Sequence, residues 1–142
     1  MSGALDNIHP ELDQSSTIKI LTKNVDEIEN ESDYYMAVSH LVNFPGSISV
    51  QALMSFLERS SSASSVLLAQ RKAVEVLARL DAVEAEPTIS ACLGSSDIYM
   101  IENAAWALAK LNCQKSSVHA LMIKLVQDHR QNQRELIQSL AQ

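Results

Sequence analysis

The side chains best suited to holding a ligand in this 142-residue chain gather on one face of a single helical period. Over Asp97–Leu111, at 100° per residue, Tyr99, Glu102, Asn103, Trp106 and Lys110 fall within an arc of roughly 100°. They offer a phenol, a carboxylate, an amide, an indole and an ammonium on one side of one helix. A large aromatic side chain off the core stripe has to pack on something, either a neighbouring helix layer or a flat ligand. Arg71, Lys72 and Arg79 stand 31 residues before Glu102, Asn103 and Lys110, and Arg134 and Glu135 follow Glu102 and Asn103 at 32. Equivalent positions of stacked units become neighbours, so Arg71, Glu102 and Arg134 would alternate in sign. Two readings stand side by side. One is an ion-pair ladder worth about 0–1 kcal/mol per exposed pair. The other is the polar wall of a groove in which Arg and Lys hold carboxylates. Tyr34, Tyr35 and Tyr99 place phenols at equivalent helix starts, as the rim of such a groove would.

Other chemistries are excluded by what is missing. The chain has no Gly-rich phosphate loop, no His-Glu-x-x-His and no nucleophile elbow. His9, His40, His119 and His129 share no helix face, so no metal site is expected. Cys92 and Cys113 lie in helical patterns with no motif between them and read as small buried hydrophobes, reduced in a cytosolic setting. A net charge of -6 without a basic cluster argues against nucleic acid. No apolar run approaches the ~20 residues of a membrane span. The start, Met1-Ser-Gly-Ala-Leu-Asp-Asn, lacks the pattern of a secretory signal, so a cytoplasmic protein without membrane insertion is expected.

The elements that position these residues are helices throughout. Ile98, Ile101, Ala104, Ala105, Leu108 and Leu111 form a core stripe opposite the indole, and Ser95, Ser96 and Asp97 offer N-caps. The stripe repeats. Ala73, Val74, Leu77 and Leu80 precede Ala104, Ala105, Leu108 and Leu111 by 31 residues, and Leu136, Ile137 and Leu140 follow Ala104, Ala105 and Leu108 by 32. Ile89 and Leu93 match Leu121 and Leu125 in the same step, and Ser32–Met36 echoes Ser96–Met100 at 64. Two helices per unit of about thirty residues predict an all-α, HEAT-like solenoid of stacked antiparallel helix pairs, about seven to eight helices in all. Ala73, Val74, Leu77, Ala104, Ala105 and Leu108 should be buried between its layers.

Segment by segment, residues 1–16 are expected to be loosely ordered and 17–142 to form the repeat domain. Its repeats run over about 32–59, 65–94 and 96–128, with a capping half-repeat at 129–142. Ser15-Ser16-Thr17 caps a first helix from about Ile18 to Ile28, and Pro45-Gly46 ends a second that starts at Ser32 or Asp33. Ser47 or Ser49 opens the next, Ser60–Ser65 is a loop, and a helix follows over Val66–Leu80. Pro87 begins a short helix closed by Gly94 as a C-cap. Helices over 117–128 and 131–141 complete the chain. Open solenoid ends tend to pair, which predicts a dimer.

Arg71-Lys-Ala-Val-Glu-Val-Leu-Ala-Arg-Leu80, Asp97-Ile-Tyr-Met-Ile-Glu-Asn-Ala-Ala-Trp-Ala-Leu108 and Ser32-Asp-Tyr-Tyr-Met-Ala37 together resemble the HEAT-like repeats of phycobilin lyases. Glu-Asn-Ala-Ala-Trp-Ala-Leu is the most specific part, and the resemblance covers roughly residues 18–128. It implies an α-solenoid enzyme, or enzyme subunit, that binds an open-chain tetrapyrrole and assists its thioether attachment to a cysteine of a phycobiliprotein subunit. The bilin is then substrate rather than cofactor, and the partners are a phycobiliprotein subunit and a second lyase subunit or a second copy. The nucleophile belongs to the client. In this chain Glu102 and Asp97 would be the acids, and Trp106, Tyr99, Asn103, Arg71 and Tyr35 the binding residues, with Trp106, Glu102, Tyr99 and Arg71 on one concave surface. The competing class is a non-enzymatic repeat adaptor or chaperone that takes a helical partner in its groove.

Overall fold

The structure, a computed structural model, describes residues 12–111 together with Asp128 and Arg130. Six α-helices occupy the described residues: α1 (Gln14–Leu21), α2 (Asp33–His40), α3 (Ser47–Leu57), α4 (Ser64–Arg79), α5 (Glu86–Ala91) and α6 (Ile98–Lys110). Short 3-10 turns at Leu41–Asn43 and Cys92–Gly94 prolong α2 and α5, and others at Val25–Glu27 and Val83–Ala85 lie before α2 and α5. No strand occurs among the described residues, so the all-α expectation holds. The helices expected over 117–128 and 131–141 lie outside the described residues, apart from Asp128 within the first. So do His9, His119, His129, Cys113, Arg134 and Glu135.

Long-range hydrogen bonds fix the direction in which the helices run. The Tyr34 hydroxyl donates to the Lys23 carbonyl at 2.6 Å, and His40 Nε2 to the Leu12 carbonyl at 2.9 Å. The start of α2 thus meets the end of α1, an antiparallel pair. Gln14 Nε2 donates to Ser49 Oγ, and Arg59 Nη1 to the Leu21 carbonyl, both at 2.9 Å, so α1 and α3 run in the same direction. Helices α1 and α2, α3 and α4, and α5 and α6 pack as pairs, and α4 lies between α2 and α6 in one layer. The three helices of that layer begin at Asp33, Ser64 and Ile98, 31 and 34 residues apart, close to the period of about thirty read from the sequence.

Helix α4 is the centre of this arrangement because almost every side of it is apolar or small. Val66, Ala69, Ala73, Val74, Val76, Leu77 and Ala78 are all buried. Alanines on the three layer-mates (Ala37 on α2, Ala73 on α4, Ala104 and Ala107 on α6) are buried without exposed surface and permit close packing. Leu41, Leu53, Phe56, Ile89 and Leu108 fill the space between layers. The helix ends through Asp81 in the left-handed region (φ 53°), a conformation Asp tolerates better than most residues. There the Ala82 N–H reaches back to the Leu77 carbonyl, as a Schellman ending requires. Gly46, with φ 121°, makes the break between α2 and α3 that Pro45-Gly46 announces in the sequence.

Several local expectations are corrected. Helix α1 starts at Gln14, not Ile18, because Asp13 is the cap: its Oδ1 accepts from the Ser16 N–H at 2.7 Å. It stops at Leu21, and Val25 and Ile28 belong to a 3-10 turn and its exit rather than to an α stripe. Gly94 lies in a 3-10 turn without positive φ, so it is not a left-handed C-cap. The buried stripe of α6 is rotated: Met100, Ala104, Ala107, Leu108 and Leu111 are buried, whereas Ile98 is half-exposed and Ile101 and Ala105 flank the core only partly covered. The α4 residues Ala73, Val74 and Leu77 are buried as expected.

One buried polar side chain closes a helix end. Gln70, on α4, donates through Nε2 to the carbonyls of Phe56 (3.1 Å), which also accepts from the Arg59 N–H at 3.2 Å, and of Arg59 (2.8 Å), just past the end of α3. Gln70→Leu should therefore destabilise the chain by about 1–3 kcal/mol, chiefly through the stranded Arg59 carbonyl, despite the added apolar volume. Urea unfolding of the two proteins measures it, and equal midpoints would show that water satisfies those carbonyls.

Candidate functional site

The side of α4 that is not packed carries Leu68, Arg71, Lys72, Glu75 and Arg79 at spacings of three and four, one continuous strip. Helices α2 and α6 lie on its two sides, and each offers aromatic rings to the strip's cations. The Lys72 ammonium stands 5.7 Å from the centre of the Tyr35 ring on α2. The Arg71 guanidinium lies 4.9 Å from the Tyr99 ring and that of Arg79 5.9 Å from the Trp106 ring, both on α6. These are cation–π distances. Arg71 meets position 99 and Arg79 meets position 106, so α4 and α6 run in step over two turns. The three rings stay open to solvent, at 40%, 61% and 44% exposure for Tyr35, Tyr99 and Trp106.

Two carboxylates are threaded among the three cations. Asp97 caps α6, accepting from the Tyr99 N–H at 3.0 Å through Oδ1, and its Oδ2 accepts from Arg71 Nε at 2.7 Å. Glu75 Oε2 accepts from Lys72 Nζ at 2.6 Å and from Arg79 Nε at 3.1 Å. The Lys72 hydrogen bond, more than that of Arg79, holds the Glu75 carboxyl below the ordinary glutamate range. Asn103 Nδ2 donates to the Arg71 carbonyl at 3.3 Å and ties α6 to α4 beneath the strip.

Of the residues singled out in the sequence, Arg71, Tyr35, Tyr99, Asn103, Trp106 and Asp97 thus gather on this one face. Trp106 is exposed rather than enclosed between helix layers. Glu102 sits half-buried on α6, and Arg71 pairs with Asp97 instead of with it, which corrects the alternating Arg71–Glu102 ladder. Asp97 has both oxygens occupied, so its visible work is to cap the helix and hold Arg71. Tyr34 is corrected too. It is fully buried, with its ring 5.4 Å from that of Phe56 and under the Arg59 guanidinium, and takes no part in a rim. The residue missed in the sequence is Glu75, although its spacing of three from Lys72 and four from Arg79 is legible there.

Elsewhere, Cys92 lines a cavity of about 550 Å³ with Leu57, Gln70, Pro87 and Met100. Its thiol donates to the Thr88 carbonyl at 3.5 Å, and burial pushes its pKa up, which makes it a poor nucleophile. No group of three or more metal-ligating side chains occurs among the described residues, and no helix there is long and apolar enough to cross a membrane.

The Glu75 contacts have a signature in acid. A carboxyl whose folded pKa is depressed stabilises the fold above its unfolded value, and loses that contribution as pH falls through the folded one. The wild-type chain should therefore exceed Glu75→Gln by up to about 1 kcal/mol near pH 7, the size expected of two partly exposed pairs. Urea titrations at stepwise lower pH should show the gap closing below the usual glutamate range. A gap that persists there would assign the effect to packing.

No family model matches the chain, and no solved structure does. Two curated proteins do. The bilin biosynthesis protein CpeY of Synechococcus sp. (strain WH8020) is 45% identical over 120 residues, 84% of this chain and 29% of that protein. The uncharacterized phycocyanin operon protein Y of Pseudanabaena tenuis (strain PCC 7409) is 37% identical over 130 residues, 92% of this chain and 31% of its own length. The chain therefore spans about a third of the length of these relatives. The matched stretch includes the helices that build the strip, so the similarity of the two-layered helical chain to these two proteins extends over α2, α4 and α6.

Proposed function

We propose that the chain is a phycobilin lyase or lyase subunit, acting in the cytoplasm, that holds an open-chain tetrapyrrole on the α2–α4–α6 strip while a cysteine of a phycobiliprotein subunit is joined to it. The observation that carries this reading is the 45% identity to a protein named for bilin biosynthesis, over a stretch that includes α4 and α6. The chemistry of the strip supports it. A bilin is a flat conjugated dicarboxylate, and here exposed rings of Tyr35, Tyr99 and Trp106 lie beside Lys72, Arg71 and Arg79. The rings would stack on the pyrrole plane and the cations would take the propionates.

In this reading the client thiol adds across the bilin's ethylidene double bond. A carbon–sulfur bond forms, the thiol proton passes to the tetrapyrrole, and nothing leaves. This chain then needs no cysteine of its own, in keeping with the covered thiol of Cys92. Its task is to align the tetrapyrrole and to supply an acid. Glu102 is the proposed acid: it sits one turn from Trp106, half-buried and outside every ion pair among the described residues. Asn103 keeps α6 in register, and Asp97 holds Arg71 over Tyr99.

The free chain should bind a phycobilin saturably at micromolar protein, seen as a visible-absorption change. Trp106→Ala should weaken binding about 2- to 10-fold, the worth of one stacked ring. Because the indole is exposed, its loss should leave the unfolding free energy within about 1 kcal/mol of wild type, not cost the 3–5 kcal/mol of a buried aromatic. Co-expression with a phycobiliprotein subunit and bilin-making enzymes should give covalent bilin on a denaturing gel, and less of it with Glu102→Ala. Absence of any bilin binding would replace this reading by that of a repeat adaptor.

The further partner in this proposal is a second lyase subunit or a second copy of the chain. Sedimentation should then find a dimer, or a hetero-complex with a related subunit. A monomer at all concentrations, with or without such a subunit, would remove that partner.

A further inference from the structure

The strip is already occupied by a carboxylate, and that carboxylate is the chain's own. Glu75 Oε2 receives Lys72 Nζ at 2.6 Å and Arg79 Nε at 3.1 Å. Both cations lie against one oxygen, so their nitrogens can be no more than 5.7 Å apart. Each also stands over an exposed ring on a different neighbour, Lys72 over Tyr35 on α2 and Arg79 over Trp106 on α6. Glu75 therefore sits midway across the layer, between the two aromatic platforms. One side-chain carboxylate held by two cations between two rings has the chemistry of a ligand carboxylate attached to a conjugated body. Asp97 differs, because it is tied down at its other oxygen by the Tyr99 amide as the cap of α6. Glu75 has no such backbone tether, and its two contacts are both with cations of its own helix.

We propose that Glu75 is an internal stand-in for a ligand carboxylate: it keeps Lys72 and Arg79 gathered between Tyr35 and Trp106 until a flat, carboxylate-bearing ligand displaces it. The inference rests on the bilin reading for the identity of the ligand, and adds the residue that sets the threshold for binding. An exchange of one carboxylate for another at a partly exposed cation pair is close to balanced, so the ligand's net gain comes from its stacked surface and its second carboxylate. Anions without a conjugated body would not displace Glu75. The device would thus select against small carboxylates, which reach the cations but not the rings.

The test is a visible-absorption titration of wild type and Glu75→Gln with biliverdin, a dicarboxylate open-chain tetrapyrrole, and with its dimethyl ester. Glu75→Gln should bind biliverdin about 3- to 10-fold more tightly, as loss of an exposed internal competitor predicts, and should gain nothing for the ester. Lys72→Gln in the Glu75→Gln background should return the affinity to wild type or below, and thermal melts establish that both variants fold. If wild type binds biliverdin and Glu75→Gln binds it no more tightly, or gains equally for the ester, the stand-in is overturned while the bilin reading stands. If neither protein binds biliverdin, both fall together.

Discussion

Everything on the charged and aromatic face depends on α4 being packed on both flanks and beneath, with only one side left over. A sixteen-residue helix enclosed by α2, α6 and α3 has few positions at which a charge can survive. Arg71, Lys72, Glu75 and Arg79 occupy those positions. Ala73 and Ala78, without exposed surface, let neighbouring helices come close enough for their rings to meet the cations of α4. Larger residues at those alanines would push the layer apart and separate Arg71 from Tyr99 and Arg79 from Trp106. Core and strip are two sides of the same packing problem.

Pairing of charge with aromatic surface also explains why exposed rings are tolerated here. Three large aromatics open to water on one face would ordinarily mark an interaction site or an aggregation hazard. In this chain each is partly covered by a cation that is held in turn by a carboxylate. The face is therefore wet, charged and aromatic at once. Such a surface suits a partner that is flat and anionic better than one that is purely apolar.

Much of this was legible in the sequence because it rests on periodicity. The two-helix unit, the placement of Trp106 off the core stripe and the burial of Ala73, Val74 and Leu77 all follow from residues recurring at fixed intervals. What periodicity conveys is level along the array, not which neighbour a side chain turns to. Arg71 and Glu102 are equivalent in the repeat, yet Arg71 reaches the cap residue Asp97, because a helix start presents its carboxylate to the adjoining helix. Tyr34 and Tyr35 adjoin in sequence and point 100° apart, which buries one and exposes the other. The start of α1 turned on a capping bond from Asp13 that competes with three equally good hydroxyl candidates. The rotation of the α6 stripe toward Met100 and Ala107 reflects how that helix is seated on α4 and α5, which composition alone does not encode.

Trp106 has a consequence of a different kind. It is the chain's one tryptophan, and it lies at the surface, beside Arg79. Ultraviolet-excited emission of the folded protein therefore originates almost wholly from this strip rather than from the interior, where an indole commonly reports on folding. Solvent quenchers should reach it while the chain is native. A conjugated pigment placed over it would act as an energy acceptor at contact range, so the protein carries a built-in optical gauge of whether its own candidate site is occupied.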